Sequence, residues 1–96
     1  MLEVRHDDNK KNGVLYLLDN GIEIGFAKYR WADDAKIIVG HTEVYEQFGG
    51  KGYGKQLVKI AVDFARQKNA KIIPFCPFVN AVLNRTPEFH DVLSKE

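Results

Sequence analysis

Between residues 35 and 68 the hydrophobic period lengthens from that of a strand to that of a helix, and the change falls on Gly49-Gly50-Lys51-Gly52-Tyr53-Gly54. Upstream, Ile37-Ile38-Val39 and His41-Thr42-Glu43-Val44 are β-branched enough to favour an extended backbone from residue 35 to 44. Downstream, Leu57, Ile60, Ala61, Phe64 and Ala65 recur at helical spacing, with Lys55, Gln56, Lys59, Asp63, Arg66 and Gln67 opposite, which predicts an amphipathic helix over residues 53–68. Lys71-Ile72-Ile73-Pro74-Phe75 then reads as a short strand. A helix joining two strands of one sheet is a crossover, so these strands should be parallel. Pro74 cannot donate to a ladder, which puts its strand at an edge or interrupts its pairing.

The first half has the two-residue period of an antiparallel sheet. Asp19-Asn20-Gly21 separates the apolar runs 14–18 and 22–29, and Asn-Gly in that setting is a strong hairpin signal. Strict alternation puts Ile22, Ile24 and Phe26 on one face of the second run and Glu23 and Gly25 on the other. The next strand follows the turn Ala32-Asp33-Asp34, and Tyr29-Arg30-Trp31 reads as core and rim packing at a strand end. After Cys76, Pro77 suits the first turn of a helix carrying Val79, Val82 and Leu83, Thr86-Pro87-Glu88 suits the start of another, and residues 91–96 read as a fraying helix end. The order is β-β-β-β-α-β-α-α, an α+β fold with antiparallel strands followed by a β-α-β unit. Residues 1–96 suffice for one domain.

Four glycines in six residues between strand and helix let backbone N–H groups approach a ligand, and the helix N-terminus and Lys51 favour an anion such as a pyrophosphate. A plain turn using the same glycines for positive φ is the bland alternative. Two familiar nucleotide loops fail on spacing. Gly54-Lys55 is followed by Gln56 where a Walker A loop needs Ser or Thr, and no acidic residue lies between Asp63 and Glu88 to hold a dinucleotide ribose.

Cys76, the one cysteine, stands beside a helix start, where a lowered pKa would make it a thiolate nucleophile; a small buried apolar side chain is the other reading. His41 lies on the strand before the loop as a candidate general base or a hydrogen-bonded sheet histidine. Alternation sets His41 and Glu43 against Thr42 and Val44, so one pair faces a ligand unless a bulge intervenes. His6, His41 and His90 have no metal-ligand spacing, so no metal site is expected. With 45% hydrophobic and 28% charged residues the composition is that of a soluble globular domain, and a net charge of +1 provides no field for nucleic acid or an anionic membrane. The charged N-terminus and lone thiol point to the cytoplasm.

The segment from Val44 through Gly54 resembles the acetyl-CoA-binding motif of the GNAT superfamily: Arg or Gln, two residues, Gly, one residue, then Gly or Ala. Gly52 and Gly54 occupy the small-residue positions, while Gly49 stands where Arg or Gln is usual. The chain is more closely similar to small GNAT-like proteins marked by a glycine and a cysteine. That pattern is carried by His41-Thr42-Glu43-Val44, the loop, Pro74-Phe75-Cys76-Pro77-Phe78 and Arg85-Thr86-Pro87-Glu88-Phe89. The resemblance implies that pantetheine runs along the strand near Val44 and Tyr45, with Gly49, Gly50, Lys51, Gly52, Tyr53 and Gly54 holding the phosphates. It also implies that the acetyl group enters a gap where the parallel strands splay, beside Cys76, which would carry it as an acetyl-cysteine. Asn84 stands where the superfamily usually has a tyrosine general acid, and the C-terminal hairpin that helps relatives form a substrate groove is missing, which leaves room for a large acceptor. The expected function is acetyl transfer from acetyl-CoA to an amine; the alternative is a non-catalytic acyl-CoA-binding or protein-interaction module.

Overall fold

A computed structural model describes residues 1–94. Five strands, β1 (Leu2–Asp8), β2 (Asn12–Asp19), β3 (Ile22–Asp33), β4 (Lys36–Val44) and β5 (Lys71–Pro74), form one sheet in the order β1-β2-β3-β4-β5. The first four are antiparallel neighbours and β5 is parallel to β4. Between them stand a single 3-10 turn at Glu46–Phe48 and the crossover helix α1 (Tyr53–Gln67); α2 (Pro77–Arg85) and a 3-10 segment (Pro87–Val92) follow β5. The α+β architecture with one β-α-β unit is therefore present, with β5 at an edge of the five-stranded sheet.

The helices cover one face of the sheet. From α1, Leu57, Val58, Ala61, Val62, Phe64 and Ala65 are buried, and α2 adds Val79, Val82 and Leu83. They pack with Leu15, Leu17, Ile24, Ala27, Ile37, Val39 and Ile72 of the sheet in one core. Each large side chain so buried contributes about 1.5–3 kcal/mol, enough to hold a helix that propensity alone would leave marginal. Helix α1 stops where Asn69 turns left-handed at φ 54° and Ala70 N–H donates back to Ala65 O at 2.8 Å.

The alternation expected in β3 does not hold. Leu17 pairs with Gly25 while Leu18 pairs with Glu23, so Ile24 is an extra residue. Such a bulge reverses the side-chain alternation beyond it. Gly25, Ala27 and Tyr29 then face the helices and Phe26, Lys28 and Arg30 face away, while Ile22 is 60% exposed instead of sharing a buried face with Ile24. A second bulge falls in β4: His41 pairs with Lys28 and Val39 with Tyr29, leaving Gly40 unpaired. Strand β3 runs on to Asp33, through the first two residues of the expected turn. Residues 91–94 are docked rather than frayed: Val92 is buried, Leu93 bridges Ile72, Ser94 N–H donates to Ile72 O at 2.8 Å, and Arg66 grips Asp91 at 2.8 and 3.0 Å. Residues 95 and 96 of that expected helix end lie outside the described residues.

Candidate active site

The parallel ladder between β4 and β5 ends at Val39 and Pro74. Pro74 brings no N–H, and Phe75 N–H turns back to Ile73 O at 3.0 Å, so the chain leaves the sheet. It touches β4 once more, where Cys76 N–H donates to Val39 O at 3.0 Å, and then enters α2. Residues 40–44 of β4 have no β5 partner. A gap bounded by that free strand edge and the start of α2 results, with Cys76 at its inner end.

Cys76 is 7% exposed and occupies the N-cap position of α2. Its Sγ lies 3.6 Å from Thr42 Oγ1. Burial raises the thiol pKa, but the backbone amides of Val79 and Phe78 and the Thr42 hydroxyl and backbone outweigh it, so the net shift is downward. No cap hydrogen bond of full geometry joins the sulfur to the helix, so the amides act on it as nearby dipoles. A buried thiol whose anion is favoured can act as a nucleophile.

His41 is on the other side of the sheet. The register puts Thr42 opposite Ala27, on the helix side, and His41 opposite Lys28, on the bare side. There the imidazole lies 3.6 Å from Glu43 and 5.8 Å from the Phe26 ring centroid. Cys76 is thus brought to Thr42 and not to His41.

The glycine loop follows the unpaired end of β4 and leads into α1. Gly50 and Gly52 have φ of 77° and 81°, and Gly52 is the N-cap of α1. The first helix amide to meet a carbonyl is that of Gln56, which donates to Gly52 O at 3.4 Å. Those of Gly52, Tyr53 and Gly54 meet no acceptor among the described residues. Gly49 closes the preceding 3-10 turn, its N–H donating to Glu46 O at 3.1 Å. Gly54 serves packing: a Cβ there would sit 2.7 Å from the Phe78 ring, which ties the start of α2 to the start of α1. Lys51 is exposed and meets no acid among the described residues, and the Tyr53 ring packs edge-on against Phe48 at 6.5 Å.

Val44 closes β4 opposite Gly25, where a Cβ would fall 2.1 Å from Glu43 O, so glycine alone permits this approach of the two backbones. Tyr45 N–H donates to Ile24 O at 2.9 Å. Its side chain turns toward the bare face, near Phe26, and its hydroxyl donates to Glu23. That bond, with burial and the charges of Glu23 and Glu43, pushes the phenol up to about 12. Thr42, Gly25 and Phe78 are the residues sequence reading did not single out. Only the alternation of β4 hinted at Thr42, and only once the bulge at Gly40 is known does it decide which pair faces Cys76.

A model of the family described as GCN5-related N-acetyl-transferase matches residues 14–92. The solution structure of a GCN5-like protein from Staphylococcus aureus is 33% identical, with 97% of this chain and 88% of that one covered and a TM-score of 0.74. A GNAT family acetyltransferase from Elizabethkingia anophelis, solved with acetyl-CoA bound, shares the fold at 22% identity, covering 78% of this chain and 52% of its own, with a TM-score of 0.62. A ribosomal-protein-alanine N-acetyltransferase from Brucella melitensis biovar Abortus 2308 does so at 20% identity, covering 81% and 64%, with a TM-score of 0.61. The chain spans less than two thirds of the length of those last two. No curated protein sequence matches it significantly.

Proposed function

Because this chain belongs to the GCN5-related N-acetyltransferase family, we propose that it takes acetyl from acetyl-CoA at the gap between β4 and α2 and passes it to an amine through Cys76. The observation that carries this reading is the thiol itself, capping α2 where the parallel ladder ends, 3.6 Å from Thr42, with its anion favoured.

In this proposal the amides of Gly50, Gly52, Tyr53 and Gly54 and the ammonium of Lys51 hold the pyrophosphate, while Gly49 ends the turn that aims them. Val44 and the backbone of Tyr45 flank the pantetheine, whose amides suit the free edge of residues 40–44. The Cys76 thiolate attacks the acetyl carbonyl; a bond to Sγ forms, the bond to the coenzyme sulfur breaks, and the proton given up by Cys76 ends on that sulfur. The amine nitrogen then attacks the acetyl carbon. A C–N bond forms as the C–S bond breaks, and the nitrogen proton passes to the departing Cys76 sulfur; His41, on the bare side, takes the earlier proton of the incoming ammonium. His41 faces the bare side of the sheet, which suits a base for the amine and not for the thiol. Thr42 positions the sulfur. A reducing, cytoplasmic setting fits a single thiol that must stay free.

The test is intact-mass measurement after incubation with acetyl-CoA and no amine. Wild type should gain one acetyl group, and Cys76→Ala should gain none while still binding coenzyme A. Binding without any label on Cys76, but with amine turnover, would replace the covalent route by direct transfer. Binding with neither label nor turnover would make the chain an acyl-CoA-binding module.

A further inference from the structure

The bare face of the sheet holds a cavity of about 490 Å³ lined by Val14, Lys28, Arg30, Ile38, His41 and Phe75, among others. Its volume is that of a small-molecule site. It begins where the parallel ladder ends: Gly40 and His41 are the first β4 residues beyond the Val39–Pro74 pair, and Phe75, 77% exposed, precedes Cys76 in the chain. A ligand in this cavity would therefore lie against the opposite side of the gap from α1 and α2.

Its charge is one-sided. Lys28, Arg30 and His41 line it and no carboxylate does. Among the described residues neither Lys28 nor Arg30 meets an acid; the Lys28 ammonium rests 5.5 Å from the Phe26 ring centroid, and Arg30 stands two residues further along the same face. The acids of this face are engaged or distant. Glu23 holds Arg5 and Tyr45, Glu43 lies by His41, and Glu3 and Asp7 belong to β1, two strands from β3. A cavity of about 400 Å³ on the helix side is mixed instead, with Asp8, Asp33 and Asp34 in its wall beside Lys10 and Lys68. The two cations are thus a local choice of this cavity and not a property of a chain whose net charge is +1.

We propose that the acetyl acceptor is, in place of the large molecule expected from the sequence, a small amine carrying a phosphate or carboxylate a few bonds from its nitrogen, the anion held by Lys28 and Arg30 and the nitrogen directed past His41 toward the gap. The role as acceptor rests on the acetyl-transfer reading above; the anion preference of the cavity stands on its own charge and shape. Val14, Ile38 and Phe75 would cover the carbon chain between the two ends.

Nitrogen-labelled protein titrated with O-phosphoethanolamine, β-alanine and ethanolamine tests this, with backbone amide shifts as readout and coenzyme A binding followed by calorimetry alongside. The anionic amines should shift Lys28, Arg30, His41 and Phe75 saturably and bind about tenfold tighter than ethanolamine, as expected for a charge-assisted hydrogen bond. The tighter of the two shows whether phosphate or carboxylate is the preferred anion. Lys28→Gln with Arg30→Gln should abolish the difference and leave coenzyme A binding unchanged. Equal binding of ethanolamine, shifts that miss these residues, or a preference that survives the double variant would each overturn the proposal. Coenzyme A binding and Cys76 labelling without anion binding would overturn this proposal alone. Anion binding without coenzyme A binding would uphold the cavity and bring down the acetyl-transfer reading.

Discussion

At the Tyr29 end of the sheet polar side chains find their partners within the chain, whereas at the Gly25 end backbone groups are left over. Tyr29 is 4% exposed, and its hydroxyl donates to Asp8, so His6 must donate its Nε2 proton to the phenol oxygen, 2.5 Å away. The Phe64 ring packs on both, with centroids 4.7 Å from His6 and 4.9 Å from Tyr29. This triad ties β1, whose residues are all exposed, to the core. At the other end β4 outruns β5 by five residues, 40–44, and the amides of Gly52, Tyr53 and Gly54 meet no acceptor among the described residues. An unpaired buried donor costs about 1–3 kcal/mol, so leftover donors persist where solvent or a ligand can serve them. One end is closed on itself and the other leaves donors unused.

The largest effect should come from Gly13→Ala. A Cβ at Gly13 would lie 2.3 Å from the Tyr29 hydroxyl and 2.7 Å from Asp7 O, so either the triad or the β1–β2 pairing must yield. We expect a loss of about 3 kcal/mol, a fall in melting temperature on the order of 15 °C. Tyr29→Phe should cost about 1–2 kcal/mol by leaving His6 and Asp8 without their shared partner. It should also flatten the acid limb. The Tyr29 hydroxyl is the foremost cause holding the Asp8 carboxyl below its ordinary value, so that stabilisation is present above the unfolded carboxylate pKa and lost as pH falls through the lowered folded one. Thermal melts from neutral pH down to the acid transition would show both; equal acid slopes in wild type and variant would remove the triad from the account.

Gly52→Val sharpens the contrast from the other side. Nothing lies within 4 Å of a Cβ there, so only the strain of φ 81° opposes the change, about 1–2 kcal/mol. Coenzyme A affinity should fall about tenfold or more as the branched side chain intrudes on the amide cradle. If calorimetry found affinity intact, or melts found the variant as damaged as Gly13→Ala, the division between the two ends would fail. The smallest effect is expected from Thr42→Val, under about 1 kcal/mol in stability. Loss of the hydroxyl should move the Cys76 thiol pKa upward, read as a shift of the pH midpoint for alkylation toward alkaline values, opposite to any change that strengthens the amide field. An unmoved midpoint would leave the backbone groups of Val79, Phe78 and Thr42 as the cause.

The β-loop-α-β unit was legible because its signals are local: four clustered glycines, a helical repeat from Leu57 to Ala65, and Pro74 ending a short apolar run. Pro77 likewise announced α2. What escaped were one-residue insertions, those at Ile24 and Gly40 among them, which leave no mark in composition yet exchange the faces of the sheet. Phe26 was therefore assigned to the wrong side, and Thr42 could not be chosen over His41 as the neighbour of Cys76. That contact joins residues 34 positions apart, and only the tertiary register brings them together. The docked end was missed for a similar reason: Asp91 is an ordinary helix-end acid until Arg66 reaches it.

A sheet roofed on one side only also divides where heritable variation is affordable. On the roofed side, Leu17, Ile37, Val39 and Ile72 are each at most 1% exposed, and altering their volume would unsettle a shared core. On the open side, Lys28, Arg30 and His41 are exposed, and substitutions at such places generally change stability by no more than about 0.5 kcal/mol. A lineage carrying this fold can thus revise its open side in single steps, each intermediate remaining folded, while the side chains packed beneath the helices are inherited unchanged.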